Sequence, residues 1–298
     1  MFGRIAIATA ALLMLGAAPA DRYQVPKPPR PATEWAAQCE EFDKWDKPGP
    51  PFKIHGRTYY VGTCGITAIL IASDRGHAII DSGTEAGAEI VAANVAAMGL
   101  RITDVKALYM SHEHFDHVGG MAKLQALSGA TLGATGPAGS VMLSGLPAKD
   151  DPQFGQLPKM AAVDKLERIL PGDEGYSART IVTPVFTPGH TPGALSWTWK
   201  SCEGKTCLRI VYADSLNPIS AKGYRFSDHP EYVAQFRAGI DRIAALPCDI
   251  LITPHPGSSG MRARILKGSL VDGTACRTYA EGVSKRLDAR LAEEQVGK

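Results

Sequence analysis

The chain has 298 residues and a formal net charge of +2, with 45% hydrophobic and 21% charged residues. This composition supplies a large core and excludes an intrinsically disordered chain. The two charge signs are interspersed, which argues against a nucleic-acid partner and against a membrane-surface partner.

The first twenty residues have the pattern of an export signal. Residues 1–4 supply a short positive start, residues 5–17 are apolar, and Ala18-Pro19-Ala20 places small residues where a signal peptidase reads. A membrane anchor is the alternative, but a bilayer span takes about 20 apolar residues. The sequence therefore predicts a signal peptide at 1–20 and a periplasmic mature chain that does not bind membranes.

A proline-rich segment opens the mature chain. Residues 21–52 predict an irregular N-terminal arm that lies over the domain. Apolar periodicity and turn signals then predict the elements of the first half. These are strands at 52–61, 66–72, 77–81, 105–110 and 130–134 and helices at 85–98, 120–127 and 137–143.

A long polar loop, residues 145–163, separates the two halves, and loops of this length are usually functional or mobile. Beyond it the sequence predicts strands at 165–170, 179–187, 193–200, 207–213 and 249–253 and helices at 229–245 and from about 274. Antiparallel runs of strands followed by alternating strands and helices indicate a layered α/β sandwich. Because no linker divides the halves, residues 21–298 are predicted to form a single domain.

Six cysteines in an exported chain predict disulfides before metal ligands, although fifteen pairings are possible. Cys202 and Cys207 bracket a turn-like insert that can close locally. Cys248 precedes a predicted strand, and Cys276 lies near the last helix. The remaining cysteines, Cys39 and Cys64, would join the arm to an early strand.

The densest group of ionisable residues is Ser111-His112-Glu113-His114-Phe115-Asp116-His117, directly after a predicted strand. A metal cation compensates the desolvation of such a cluster at a strand end. His112 and His114 point to the same side of an extended segment, and Asp116 and His117 can project towards a second point as a helix begins. The spacing predicts two adjacent metal sites that share one loop. The alternative is a solvated polar loop.

Two further histidines follow predicted strands. His190 lies in the turn Thr187-Pro188-Gly189-His190, and His255 follows Thr253-Pro254. Alone, each could be an ordinary loop histidine, but together with the first cluster both are predicted ligands. By contrast, His55, His77 and His229 lie within or beside predicted elements and are not predicted to bind metal.

In order and spacing, these motifs resemble the metallo-β-lactamase superfamily across essentially the whole mature chain. Three features are similar to the class B, subclass 3 β-lactamases. His occupies position 112, Tyr212-Ala213-Asp214-Ser215-Leu216-Asn217 resembles a strand of that subclass, and Cys248 with Cys276 matches its disulfide. The stretch Ser196-Trp197-Thr198-Trp199-x-Ser201-Cys202 is also similar. Asn217 departs from relatives, which commonly carry Ser or Thr.

The resemblance implies a four-layer αβ/βα sandwich with the active site at its edge and two Zn²⁺ per chain. His112, His114 and His190 would hold the first zinc, and Asp116, His117 and His255 the second. A metal-bound hydroxide oriented by Asp116 would hydrolyse the β-lactam amide of penicillins, cephalosporins and carbapenems and confer antibiotic resistance. The substrate would be bound by Ser215, Asn217 and Gln153. The protein is expected to be a monomer.

Two other functions remain as alternatives. A glyoxalase II-type thioesterase or a lactonase of the same superfamily would use a bridging aspartate, and Asp214 stands close to that position. Because neighbouring strand residues face opposite sides, only one of Asp214 and Ser215 can face the metal site, and the strand pattern leaves open which one does. The resemblance implies that Ser215 faces it. A secreted zinc-binding or adhesion module is disfavoured, because a structural zinc site is normally closed by four ligands.

Overall fold

Two β-sheets form the centre of the molecule in this computed structural model, which describes residues 26–27, 30–173, 175–177 and 180–296. The predicted signal peptide lies outside the described residues. The first sheet contains, in this order, β1 (Phe52–His55), β2 (Thr58–Tyr60), β3 (Ile69–Ile71), β4 (His77–Ile80), β5 (Val105–Tyr109), β6 (Thr131–Ala134) and β7 (Leu166–Arg168). Strands β1 to β4 pair antiparallel, whereas β4 to β7 pair parallel.

The second sheet has the strand order β12-β11-β10-β9-β8. Its strands are β8 (Gly175–Ser177), β9 (Thr180–Phe186), β10 (Leu195–Glu203), β11 (Thr206–Tyr212) and β12 (Ile250–Ile252). Only the β11–β12 pair is parallel. The carboxyl ends of β11 and β12 therefore reach the same edge of the sheet.

Eight helices surround the two sheets in the described part of the chain. They are α1 (Ala32–Gln38), α2 (Glu85–Ala97), α3 (Phe115–Val118), α4 (Met121–Ser128), α5 (Gly136–Ser144), α6 (Pro230–Ala245), α7 (Met261–Leu266) and α8 (Ala275–Val296). Helices α2, α4 and α5 lie in the crossovers between the parallel strands β4 to β7, which cannot be joined by tight turns.

Alternation along the strands divides the core into layers. In β3, Leu70 packs with α2 and α4, whereas Ile69 and Ile71 pack against the second sheet. On the far side of the second sheet, Val211 packs with residues of α6 and α8. The order is therefore helices, sheet, sheet, helices, and the predicted four-layer αβ/βα sandwich is confirmed.

Two sequence predictions need correction. Residues 52–61 are not one strand but the hairpin β1–β2, because Gly56 has φ of 55°, a left-handed conformation that turns the chain. The arm is not irregular throughout, since it contains α1, where Trp35 is fully buried against Phe52 and Tyr60. The apolar contacts of this tryptophan stabilise a helix that the proline-rich composition of the arm did not predict.

The six cysteines form the bonds Cys39–Cys64, Cys202–Cys207 and Cys248–Cys276. The first ties the arm to the segment after β2, and the last ties the residue before β12 to α8. These are the pairs expected from the sequence. Among the described residues, no helix is both long enough and apolar enough to cross a membrane.

Candidate metal centre

The predicted ligands come from both sheets and meet at one edge of the sandwich. His112 and His114 directly follow β5 of the first sheet, and His190 lies in the turn between β9 and β10 of the second. The backbone joins these two segments where Leu195 N–H donates to Ser111 O at 2.7 Å. His255 follows β12, whose parallel pairing with β11 brings it to the same edge.

His112, His114 and His190 form the first group. One ligand nitrogen of each ring lies within 4.8 Å of the others, and all three rings are buried. The Nε2 of His112 is buried without a hydrogen-bond partner among the described residues. A buried ring nitrogen without a partner costs free energy unless a cation binds it. Three imidazoles around one point fit zinc, which takes nitrogen ligands and keeps an open position in catalytic sites.

The other nitrogen of each ring in this group contacts a protein oxygen. His112 Nδ1 lies 2.7 Å from Asp214 Oδ1, His114 Nε2 lies 3.0 Å from Asp151 Oδ2, and His190 Nδ1 lies 2.8 Å from the backbone oxygen of Asn217. Such oxygen partners fix the tautomer and orientation of metal-binding imidazoles and raise their basicity. The rings are thus held ready to bind a cation.

Asp116, His117 and His255 lie beside the first group. Asp116 Oδ2 is 3.0 Å from His117 Nε2 and 3.4 Å from His255 Nε2. His112 and His117 have ring centroids only 4.3 Å apart, and ligand atoms of His112, Asp116 and His117 lie within 4.8 Å of one another. The structure therefore brings all six predicted ligands together at two neighbouring points.

Burial and neighbouring side chains together set the protonation states of the candidate ligands. Burial and neighbouring imidazoles lower the pKa of His190 to about 3, and burial chiefly lowers the pKa of His255 to about 4. Burial alone would raise the pKa of Asp116, but His117 and His255 outweigh it, so that this pKa is lowered. At neutral pH, His190 and His255 offer a lone pair and Asp116 a carboxylate, which are the forms that bind metal.

Glu113 has a structural role between the histidine-bearing loops. Its carboxylate accepts hydrogen bonds from Thr191 Oγ1 at 2.6 Å and from Gly193 N at 2.8 Å. Gly193 has no room for a side chain, because a Cβ there would lie 2.5 Å from Ala138 Cβ. Glu113 therefore fixes the turn that carries His190 against the loop that carries His112.

The orientations of Asp214 and Ser215, which the strand pattern left open, differ from a simple alternation. Asp214 is fully buried and its carboxylate contacts His112, while the neighbouring Ser215 is also buried and its Oγ has no hydrogen-bond partner among the described residues. Strand alternation does not apply here, because β11 ends at Tyr212 and Leu216 has φ of 46°. Asp214 can therefore orient His112, and the hydroxyl of Ser215 can donate a hydrogen bond within the site.

The remaining predicted residues lie at the periphery of the centre. Asn217 is half-buried, and its Oδ1 accepts a hydrogen bond from Arg286 Nε at 3.0 Å. Gln153 contacts Asp151 through its backbone, since its N–H donates to Asp151 Oδ1 at 2.7 Å. Outside the centre, the ring of His77 accepts from Ser73 N, and that of His229 stacks on Tyr224.

Sequence reasoning missed several residues of the site. Asp151 and Arg286 reach it from a distant loop and from the last helix, and Asp81 accepts from Ser111 N–H and Tyr212 Oη behind His117. Trp45, in the arm, packs near His255 and Phe115 at the rim. The one available signal was the pair Asp150-Asp151 in a loop of functional length. Nothing in the sequence distinguishes Arg286 from its neighbours in α8.

Comparison with known proteins agrees with this geometry. Residues 61–203 match the family model described as the metallo-β-lactamase superfamily. Among solved structures, the MIM-2 metallo-β-lactamase is 52% identical, with a TM-score of 0.84 over 90% of this chain and 100% of that one. MIM-1 from Novosphingobium pentaromativorans is 43% identical, with a TM-score of 0.84 over 89% of this chain and 99% of that one. MEM-A1, a subclass B3 enzyme from a soil metagenome library, is 41% identical, with a TM-score of 0.83 over 86% and 100%.

The chain belongs to the metallo-β-lactamase superfamily. Within it, the chain groups with the class B, subclass 3 metallo-β-lactamases, as the sequence motifs predict. It is therefore a metal-dependent hydrolase.

Proposed function

We propose that this protein is a dizinc enzyme that hydrolyses the β-lactam amide of penicillins, cephalosporins and carbapenems and thereby confers antibiotic resistance. The observation that carries the proposal is the pair of adjacent donor groups that share one loop, with the far nitrogen of each imidazole in the first group held by a protein oxygen. The similarity to metallo-β-lactamases of subclass 3 supports β-lactams as the class of substrate.

His112, His114 and His190 would hold one zinc ion, and Asp116, His117 and His255 the other. Zinc in this setting supplies Lewis acidity, which polarises the amide carbonyl and lowers the pKa of water towards about 7. Asp116, whose pKa is lowered because His117 and His255 outweigh its burial, would orient the attacking water as a carboxylate. Asp214, Asp151 and the Asn217 carbonyl hold the imidazoles in place during turnover.

Ser215, Asn217 and Gln153 would bind the substrate. Ser215 Oγ is a buried hydroxyl without a partner among the described residues, so it can donate to a substrate carboxylate. The thioesterase and lactonase alternative is not favoured: the Asp214 carboxylate contacts His112 Nδ1, the ring nitrogen opposite the partnerless Nε2.

Export and assembly form part of the same proposal. Residues 1–20 would direct secretion, and residues 21–298 would work as a single monomeric domain in the periplasm. N-terminal sequencing of the secreted protein should begin at Asp21, and light scattering should give the mass of one mature chain.

Carbapenem hydrolysis by the purified protein tests the activity. We expect hydrolysis that stops on addition of a chelator and returns with zinc, and about two zinc ions per chain by elemental analysis. His190→Ala should weaken the first site and His255→Ala the second. A single tightly held zinc, or no β-lactam hydrolysis by the zinc-loaded protein, would contradict the proposal.

A further inference from the structure

Helix α8 holds the segment that follows β11. Tyr279 Oη donates to the backbone oxygens of Asp214 at 2.7 Å and Ser215 at 2.6 Å, and Arg286 Nε donates to Asn217 Oδ1 at 3.0 Å. Tyr279 and Arg286 lie two helical turns apart and so project from one face of α8. This face therefore positions the residues that contact His112 and His190.

Most of the Arg286 guanidinium remains free. The side chain is exposed, and the hydrogen bond from Nε is its only hydrogen bond or ion pair within the described parts of the chain. The edge formed by Nη1 and Nη2 is thus open to solvent. Two parallel N–H groups on such an edge match the two oxygens of a carboxylate, and Arg is suited to this bidentate contact.

The same hydrogen bond orients the amide of Asn217. Because Arg286 Nε can only donate, the amide oxygen of Asn217 faces it, and the amide NH₂ is left as the free group. The backbone oxygen of Asn217 meanwhile accepts from His190 Nδ1 at 2.8 Å, so this residue adjoins the metal centre directly. The Arg286 guanidinium and the Asn217 amide therefore lie side by side, at the residue whose backbone oxygen contacts His190.

Arg286 also lines a cavity of about 240 Å³ between α8 and the segment after β12. The opposite wall carries Ser258 and Ser259, shortly after His255. Arg286 therefore adjoins both Asn217, which contacts His190, and the segment that follows His255.

We propose that Arg286 determines specificity for anionic substrates, by binding the carboxylate of the β-lactam with its Nη edge and by turning the Asn217 amide into a second donor. This inference rests on the proposed β-lactam hydrolysis and deepens it. It also explains how Asn217 can act at this position. A Ser or Thr hydroxyl both donates and accepts and needs no arginine to orient it, whereas the amide of Asn217 is oriented by Arg286.

Steady-state kinetics of zinc-loaded Arg286→Gln test the inference with a matched pair of substrates, a penicillin and its methyl ester. For the free acid we expect kcat/KM to fall on the order of tenfold, mostly through a higher KM, because one charged hydrogen-bonding partner is lost. For the ester, kcat/KM should change less than about twofold. Arg286→Lys, which keeps the charge but not the fork, should recover part of the loss.

Arg277→Gln is the control, because Arg277 is an exposed arginine of the same helix and has no contact with the centre among the residues that the structure describes. It should leave both substrates unaffected. Zinc content is the second measurement, and it should equal that of the wild type in every variant. An equal loss for acid and ester, a loss of zinc in Arg286→Gln, or no change for the acid would overturn the inference. Failure of the proposed function is distinct, since then the wild type itself would hydrolyse neither substrate.

Discussion

At the scale of single residues, the two nitrogens of each imidazole in the first group have different roles. One ring nitrogen of His112, His114 and His190 contacts a protein oxygen, and the other is left for a cation. The carboxylate of Asp214 has the shortest of these contacts, at 2.7 Å. The affinity of the first site should therefore depend on a residue that does not bind the metal.

Asp214→Asn tests this dependence. The amide can still accept from His112 but lacks the charge, so zinc affinity of the first site should fall about tenfold while both sites still fill at saturating zinc. Competition with a chromogenic chelator measures the affinity. Asp241→Asn, an exposed change on α6, is the control and should have no effect. Loss of a whole zinc equivalent at saturation would instead make Asp214 a ligand.

At the scale of elements, hydrogen bonds to buried carboxylates hold separate segments of the chain together. Glu113 joins the turn before β10 to the loop after β5, and Glu294 joins α8 to the segment at residues 226–227. Removing one donor or one acceptor from such a contact leaves a buried partner unsatisfied. Each contact thus predicts a measurable loss of stability.

Thr191→Val removes one donor from Glu113 without changing side-chain shape. Since Thr191 is fully buried, the free energy of unfolding should fall by about 1–3 kcal/mol, and the zinc affinity at His190 should fall with it. Urea denaturation and chelator competition measure the two effects. Thr103→Val, at an exposed threonine, should change neither. Full stability in Thr191→Val would show that Glu113 does not hold the turn.

Glu294→Gln tests the second contact through its pH dependence. Burial would raise the pKa of Glu294, but hydrogen bonds from Ser227, Phe226 and Arg290 outweigh it, so the pKa is lowered on folding. A lowered folded pKa means that the stabilisation is present above the unfolded value, near 4.5, and is lost as the pH falls through the folded value. We expect Glu294→Gln to cost about 1–3 kcal/mol at pH 7 and progressively less below pH 4.5. A difference independent of pH would refute the ionised contact.

At the scale of the whole molecule, the disulfides close loops of different length. Cys39–Cys64 and Cys248–Cys276 span 25 and 28 residues, whereas Cys202–Cys207 spans only 5. The long bonds connect the arm and α8 to the sheets, while the short one lies within the β10–β11 hairpin. In the chain-entropy account, longer loops give more stabilisation.

Paired serine substitutions should therefore rank in a definite order. Replacing Cys248 and Cys276 should lower the free energy of unfolding by about 3–4 kcal/mol, and replacing Cys202 and Cys207 by about 2 kcal/mol or less. Equilibrium denaturation at neutral pH gives both values. A larger loss from the short bond than from the long one would contradict this account.

The sequence by itself determined the layered fold and all six candidate ligands. Alternating and helical periodicities depend on local geometry, and the cluster at residues 111–117 is unusual enough to indicate metal binding without a structure. His190 and His255 could be added because each follows a predicted strand. Composition and spacing suffice where the relevant contacts are local.

Only the tertiary structure decided the partners of those ligands. Asp214 and Asp151 meet His112 and His114 across 102 and 37 residues, and Arg286 meets Asn217 across 69. The contact of Asp214 with the far nitrogen of His112 also escaped the sequence, because alternation ends where β11 ends. Contacts of this kind follow from how the two sheets and α8 pack, which no local pattern encodes. The candidate ligands could therefore be proposed from the sequence, but the side chains that orient them could not.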